Sequence, residues 1–337
     1  MSDQIVSIKK MTLAYGDTVA VPELDLDIKK GELLALLGPS GCGKTTTMRA
    51  IAGLLAPKSG AIFIDGRDVT RVPAHKRGIG LVFQSYALFP HLSSFENVAF
   101  GLRLRKLPSA EVTVKVEAGL SSVGILHLAA RMPAEMSGGQ QQRLSLARSL
   151  VMEPKVLLLD EPLSNLDARL RLEMRTELQR VQRETGVTMV FVTHDQSEAL
   201  ALADRIVLMK DGKIVQIGTP DELYNKPVDA FAADFMGFEN IFAVDGEQMT
   251  AAGQSVALGF SAPKGHVAWR PGGVAVGSGA HSGTVIGRAF VGERREYVID
   301  SPLGQIKADT PANEPSHPMG EVVAFDLPQA SARILPA

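Results

Sequence analysis

The stretch LLALLGPSGCGKTTTM, residues 33–48, decides the fold of the first part of this 337-residue chain. Its five leading apolar residues predict a buried strand, and a helical run at 45–55 follows a glycine-rich turn. The turn fits the pattern G-x-x-x-x-G-K followed by Ser or Thr, in which backbone N–H groups and a helix N-terminus surround phosphate. The sequence therefore predicts a nucleotide-binding loop, made of Gly38, Pro39, Ser40, Gly41, Cys42, Gly43, Lys44, Thr45 and Thr46.

Three residues of this loop can be interpreted individually. Lys44 is expected to reach the β- and γ-phosphates of a nucleotide, and the hydroxyl of Thr45 to bind Mg²⁺. Cys42 lies among the amides of the loop, which are expected to lower the pKa of its thiol. Since a small residue simply fits there, the sequence assigns Cys42 no catalytic role.

A second apolar run, residues 156–159, ends in two acidic residues, Asp160 and Glu161. Strand interiors rarely carry acids without a function. At the carboxyl end of a strand, Asp160 can hold Mg²⁺ and Glu161 can accept the proton of an attacking water. The alternative is an acidic pair favoured at the N-terminus of a helix that begins at Pro162.

The run Ser137-Gly138-Gly139-Gln140 precedes a predicted helix and offers a second anion-binding geometry. The alternative is an ordinary helix cap at Ser137 with a flexible lead-in. One domain rarely needs two phosphate cradles for one nucleotide. A symmetric dimer could use both, because each protomer would offer its second cradle to the partner's nucleotide.

Along the chain, short apolar strands alternate with helices up to about residue 237, which predicts an α/β domain with a mostly parallel sheet. The pair Asp211-Gly212 predicts a hairpin. Between about 89 and 153 the strands stop and three helices are expected, as a helical subdomain. From 238 to 337, frequent Gly and Pro with short β-like runs predict a small all-β, OB-like domain.

Composition excludes several classes of protein. Thirty-five Lys and Arg balance 37 Asp and Glu, and the formal net charge of -2 argues against a nucleic-acid partner. The longest apolar runs fall well short of the roughly 20 residues of a membrane-spanning helix. The N-terminus lacks the pattern of a secretory signal, and a single cysteine excludes an internal disulfide, so a reducing cytoplasm is expected.

Taken together, these motifs resemble the ATP-binding cassette (ABC) family over about residues 5–237. The phosphate loop, SGGQ at 137–140, LLLDEP at 157–162, SNLD at 164–167 and a histidine at 194 occur in the order and spacing of that family. The resemblance implies the P-loop NTPase fold, ATP and Mg²⁺ as ligands, and ATP hydrolysis. Position 136 holds Met where Leu is commonest in the family, a change that conserves volume.

The family also implies roles for residues that the phosphate loop does not contain. Tyr15 stacks on adenine, although a Tyr at a strand end is also ordinary. Gln84 contacts Mg²⁺ and the attacking water and lies where a membrane partner docks. His194 bonds the γ-phosphate, although a surface His is the commoner explanation for such a residue.

The remaining implied roles reach across a homodimer. Ser137, Gly138, Gly139 and Gln140 bind the nucleotide of the partner protomer, chiefly through Ser137 and Gly139 at the γ-phosphate. Asp167 sits at the dimer seam.

The C-terminal region resembles the small β-barrel appended to ATPases of binding-protein-dependent importers, through AWRP at 268–271 and later β-like runs. The stretches 83–91 and 217–224 are also typical of importers. The implied partners are a second copy of the chain, integral membrane permease subunits and, through the permease, an extracytoplasmic solute-binding protein. The implied location is peripheral, on the cytoplasmic face of the membrane.

We therefore expect an ATPase that powers solute uptake, with a slight preference for polyamine. Ferric iron, sugar or glycerol phosphate, sulfate and phosphonate remain alternatives. Two other classes are a soluble ABC ATPase acting on ribosomes or DNA, and an exporter ATPase. The single cassette and short helical insertion argue against the former, and the appended β domain argues against the latter.

Overall fold

A computed structural model describes residues 3–336, and the chain divides after Asp221 into two compact units. The sequence places the domain boundary later, near residue 237, and that boundary stays a prediction. Within 3–336, no helix combines the length and the apolar character needed to span a membrane.

The first unit contains two sheets and a set of helices. Its strands are β1 (Gln4–Tyr15), β2 (Thr18–Lys29), β3 (Leu33–Leu37), β4 (Ser59–Ile64), β5 (Arg67–Asp68), β6 (Ile79–Val82), β7 (Val156–Asp160), β8 (Thr188–Thr193), β9 (Arg205–Lys210) and β10 (Lys213–Gly218). Its helices are α1 (Lys44–Ala52), α2 (Ser94–Leu104), α3 (Ser109–Ser122), α4 (Gly138–Leu150), α5 (Ala168–Thr185) and α6 (Gln196–Leu202), and α7 (Pro220–Asn225) contains the division between the units.

The larger sheet has the strand order β10-β9-β3-β8-β7-β6, and all neighbours are parallel except β10 with β9. All five residues of β3 are buried, as a strand covered on both faces requires. The predicted parallel sheet is confirmed. The predicted hairpin is confirmed too, since Asp211 and Gly212 have φ of 49° and 75° between β9 and β10.

The second sheet, β2-β1-β4-β5, is antiparallel, and of its strands the sequence indicated only residues 61–64 of β4, with a turn at Asp65-Gly66. Register shifts interrupt the pairing of β1 and β2, for example between Ile8 and Met11, and break the period-two pattern that reveals a strand. Helix α1 contributes Met48 and Ile51 to a core shared by both sheets. That core fixes the phosphate loop, which connects β3 to α1.

The three helices expected between 89 and 153 are confirmed as α2, α3 and α4, which lie between β6 and β7 in the chain. Helix α2 begins after Ser93, whose hydroxyl accepts from the N–H of Glu96. Helix α2 packs against both α3 and α4. This insertion carries α4, the helix that begins next to Ser137.

The second unit is mainly β-structure, as predicted, with the sheets β11-β12-β17 and β15-β14-β13-β16. Its core includes the fully buried side chains of Trp269, Tyr297 and Phe325. Its elements are α8 (Ala230–Phe235), β11 (Asn240–Ala251), β12 (Gln254–Trp269), β13 (Ala275–Phe290), β14 (Arg294–Ser301), β15 (Gly304–Pro311), β16 (Val322–Asp326) and β17 (Arg333–Pro336).

Candidate functional site

The phosphate loop runs from the end of β3 to the start of α1, and two of its glycines leave no room for a side chain. Gly38 has a φ of 148°, and a Cβ there would clash with the carbonyl oxygen of Met209. Gly43 has a φ of 101°, and a Cβ there would press on Val21. The remaining loop residues follow the path that these glycines set, so backbone and helix N-terminus meet in one place.

Lys44 points back into its own loop. Its Nζ donates to the carbonyl oxygens of Gly38 at 2.7 Å and Pro39 at 2.8 Å. Lys44 is buried. A cation held at this position can exchange those carbonyl oxygens for phosphate oxygens without leaving the site.

The surroundings of Cys42 contradict the pKa expected for its thiol. The thiol lies 3.8 Å from Nζ of Lys44, and the residue is only 4 % exposed. Burial raises the pKa of the Cys42 thiol and outweighs the opposing effect of Lys44. The expected lowering of the pKa is therefore wrong, because desolvation of a thiolate dominates over nearby N–H groups and a cation.

Asp160 closes β7 beside the start of α1. The hydroxyl of Thr45 donates to its Oδ1 at 3.2 Å. Burial raises the pKa of the Asp160 carboxyl, and the neighbouring Glu161 adds to that effect while Arg49 opposes it. A hydroxyl and a carboxylate thus converge at one point, and both are hard oxygen ligands.

Glu161, Gln84 and His194 meet around one carboxylate. Nε2 of Gln84 donates to Oε2 of Glu161 at 3.3 Å, and Nδ1 of His194 lies 3.3 Å from Oε1. Glu161 has a φ of 44°, a left-handed conformation that is costly for a residue with a side chain. Its N–H donates to Val192 of the neighbouring strand at 3.1 Å, which helps to hold that conformation. The structure thus brings together three residues that lie far apart in the sequence.

Ser164 and Asn165 support this cluster, and the sequence did not identify them as site residues. The amide of Gln84 donates to the Ser164 hydroxyl at 3.1 Å, and Nδ2 of Asn165 donates to the Gln84 carbonyl oxygen at 2.9 Å. The Ser164 hydroxyl in turn donates to the carbonyl oxygen of Glu161 at 3.0 Å. The signal was present in the SNLD run, of which only the last residue was interpreted.

Ser137 and Asp167 both begin helices. The Ser137 hydroxyl accepts from the N–H of Gln140, whose side chain returns a bond to the N–H of Ser137, and this reciprocal pair caps α4. Asp167 caps α5 by accepting from the N–H of Leu170 at 2.9 Å. Ser137, Gly138 and Asp167 are exposed, whereas Gly139 is buried. The capping explanation of Ser137 therefore holds within one chain, and a role toward a second chain stays a prediction.

Tyr15 ends β1 and is 48 % exposed. Among residues 3–336, no side-chain hydrogen bond or ion pair joins Tyr15 or Ser137 to the cluster around Glu161. An exposed ring at a strand end is free to stack on a planar ligand. The stacking role stays a prediction.

This chain is similar in sequence to a known family and to known proteins. Residues 21–164 match the model of the ABC transporter family. The "Fe(3+) ions import ATP-binding protein FbpC" of Rhizobium etli is 49 % identical over 314 residues, with 89 % of each chain covered. The protein of the same description in Brucella suis is 46 % identical over 335 residues, covering 96 % of this chain and 95 % of that one.

A solved structure agrees with the sequence relatives. The chain described as "cbiO1 from clostridium perfringens: Part of the ABC transporter complex cbiONQ" superposes with a TM-score of 0.63 at 35 % identity. The match covers 67 % of this chain and 92 % of that chain. The two relatives are 49 % and 46 % identical to this chain over most of their length, and the chain has the phosphate loop and the Glu161 cluster. The chain therefore belongs to the ABC transporter family, as an ATPase of importer type.

Proposed function

We propose that this chain is the ATP-hydrolysing subunit of a ferric-iron importer. The observation that carries the catalytic part is the Glu161 carboxylate, which lies 3.3 Å from both the Gln84 amide and the His194 ring. The solute is supported by relatives described as Fe(3+) import proteins, which this chain matches over as much as 96 % of its length. Ferric iron thus replaces polyamine as the favoured solute.

ATP is expected to bind at the phosphate loop. Lys44 moves its hydrogen bonds from the loop carbonyls to the terminal phosphates, and the N–H groups of the loop surround them. Tyr15 stacks on the adenine ring. Each contact uses a group that the fold already presents.

Mg²⁺ fits the oxygen donors at the end of β7. The Thr45 hydroxyl and the Asp160 carboxylate lie 3.2 Å apart, and the amide oxygen of Gln84 would be a third ligand. Within residues 3–336, no group of three or more His, Cys, Asp or Glu side chains could hold a metal alone. That ligand set suits Mg²⁺, which is typically bound through one or two carboxylates together with substrate phosphates and water. When bound, the ion would neutralise charge that develops on the phosphates.

Hydrolysis is assigned to the Glu161 cluster. Glu161 accepts a proton from the water that attacks the γ-phosphorus, while the bond between that phosphorus and the β–γ bridging oxygen breaks and ADP leaves. Gln84 orients the water through its amide, and His194 donates to a γ-phosphate oxygen. The hydrogen bond from Gln84 also helps to fix the Glu161 carboxylate at the point of attack, and the His194 ring lies beside the same carboxylate.

Two surfaces support the proposed partners. The capped N-terminus of α4, with Ser137 exposed, would complete the nucleotide site of a second copy, and Asp167 would lie at the seam. A groove of about 380 Å³, lined by Phe83, Phe89 and Phe100 among others, would receive a membrane permease. The chain would then be peripheral to the membrane, and a solute-binding protein would act through the permease.

The test uses Glu161→Gln, with Glu173→Gln as the matched control in an exposed ion pair with Arg169. Glu161→Gln is expected to bind ATP normally but to lose about a hundredfold or more of its kcat. In cells that lack the native gene, it should also abolish uptake of radiolabelled ferric iron. Glu173→Gln should retain both activities, because exposed ion pairs contribute little.

Wild-type turnover by Glu161→Gln would overturn the assignment of the catalytic base. Uptake of radiolabelled putrescine, with no uptake of ferric iron, would overturn the solute while leaving the ATPase chemistry intact. Recovery of ATP-trapped Glu161→Gln with ribosomes or DNA-repair proteins, and no permease, would overturn the transport role.

A further inference from the structure

The segment between β6 and α2 contains two successive left-handed residues that are not glycine. Tyr86 has a φ of 61° and Ala87 a φ of 46°. Side chains disfavour this conformation because Cβ approaches the following carbonyl oxygen. In addition, Tyr86 is only 7 % exposed and its buried hydroxyl has no hydrogen-bond partner. Both features raise the free energy of the segment, so it persists only where other contacts hold it.

Those contacts come from one face of α4. Nη1 of Arg148 donates to the carbonyl oxygen of Ala87 at 2.8 Å, and Nη2 donates to that of Tyr86 at 2.9 Å. The hydroxyl of Ser145, one turn earlier, donates to the same Tyr86 carbonyl oxygen at 2.9 Å. The guanidinium also lies 5.5 Å from the ring centroid of Phe89. No carboxylate among residues 3–336 forms an ion pair with Arg148, so its charge serves this segment.

The held segment connects two functional surfaces. Gln84 stands two residues before it and contacts Glu161, while Phe89 stands two residues after it and lines the apolar groove. Helix α4, which supplies Arg148, begins at the cap formed by Ser137. A change in the left-handed pair would therefore reach the catalytic cluster, the groove and the predicted dimer surface together.

We propose that Arg148 is a positioning residue, which holds Tyr86 and Ala87 in the left-handed conformation and thereby places Gln84 against Glu161. Each of its two terminal nitrogens donates to one of two successive carbonyl oxygens, whereas a lysine in its place would offer a single nitrogen on a flexible side chain without that fixed fork. The inference rests on the proposed role of Gln84 in hydrolysis. Because Arg148 does not contact the phosphate loop, the proposal separates turnover from ATP binding.

The main test is Arg148→Lys in the full chain, assayed for kcat, KM and ATP bound per chain. We expect kcat to fall about tenfold, because the left-handed pair then loses the guanidinium fork and is held less firmly, with KM and bound ATP nearly unchanged. Adding Ala87→Gly should recover most of the lost kcat, because glycine adopts left-handed conformations without steric cost. A merely structural defect at Arg148 would not respond to a glycine in the loop.

The matched control for the rescue is Lys106→Gly, since Lys106 is also left-handed, with a φ of 59°, but lies between α2 and α3. Rescue by Lys106→Gly equal to that by Ala87→Gly would overturn the proposal, as would unchanged kcat in Arg148→Lys or no rescue at all. If Arg148→Lys does not fold, Ser145→Ala removes one bond to the same carbonyl oxygen, and the same rescue is expected.

Gln84→Ala separates this proposal from the function on which it depends. Loss of kcat in Gln84→Ala with wild-type kcat in Arg148→Lys would overturn the positioning role alone. Wild-type kcat in Gln84→Ala would overturn the role assigned to Gln84, and the positioning role with it.

Discussion

The two units use their recognisable sequence motifs for different physical purposes. In the first unit, the motifs place polar groups where they contact one another, as Gln84 and His194 do at Glu161. In the second unit, the AWRP motif is a packing device. The Trp269 indole N–H donates to the carbonyl oxygen of Pro328 at 2.9 Å, and the ring is fully buried.

The charged residues Arg270 and Lys44 show the same contrast between the two units. Its guanidinium lies 3.6 Å from the ring centroid of Tyr224 and 4.1 Å from that of Phe238, and it donates to the carbonyl oxygens of Tyr224 and Met236. Burial lowers the pKa of Arg270. Lys44, by contrast, donates to loop carbonyl oxygens that phosphates can replace. The lesson is that a motif can identify a family by its chemistry in one unit and by its packing in another.

The largest expected effect comes from removing the chemistry of the first unit. Lys44→Ala deletes the only side-chain ammonium bonded to the phosphate-loop carbonyls of Gly38 and Pro39 in the described part of the chain. Because stabilisation of transition-state charge by a fixed donor is worth much rate, kcat should fall on the order of a thousandfold. Steady-state ATPase assays measure this loss. Circular dichroism melting should show the second unit unchanged, and a shift in its transition would contradict the comparison.

A smaller effect is expected from opening the core of the second unit. Trp269→Ala leaves a cavity among the fully buried side chains and should destabilise that unit by about 3 kcal/mol. Trp269→Phe is the matched control, because it retains a ring but loses the bond to Pro328, at a cost of about 1 kcal/mol. Unfolding in denaturant, with proteolysis as the readout, measures the loss of stability in both variants. ATP affinity should be unchanged in both variants, and a weaker affinity would show that the core of the second unit supports the nucleotide site.

The sequence predicted the elements whose pattern is local. Leu33–Leu37 is apolar throughout because β3 is covered on both faces, and Asp211-Gly212 marks a turn that needs two left-handed residues. It did not predict β1 and β2, whose periodicity is interrupted by register shifts. In the second unit the predicted β-like runs at 267–269, 283–290, 296–299 and 322–325 fall within β12, β13, β14 and β16, but no run was predicted within β11 or β15. Strands in such a domain depend on cross-strand packing, which a single sequence does not display.

The candidate site shows the same limit. Residue types at fixed spacing, such as those of the phosphate loop and the Asp160-Glu161 pair, identified the groups that meet there. The sequence could not show that Asn165 holds the Gln84 backbone or that burial raises the pKa of the Cys42 thiol. Both depend on which side chains surround a group in three dimensions.

The smallest effect is expected from separating the two units. Truncation after Gly237 should leave a folded fragment that binds ATP within about threefold of the full chain, since the groups assigned to the nucleotide all precede it. A second truncation, after Asp221, tests the other boundary. It cuts α7, which spans Pro220–Asn225. Limited proteolysis and ATP titration of both fragments measure the outcome. If only the shorter fragment folds, the boundary lies at the division after Asp221. If neither fragment folds, the first unit depends on the second for its stability, and the contrast between a chemical unit and a separate packing unit is wrong.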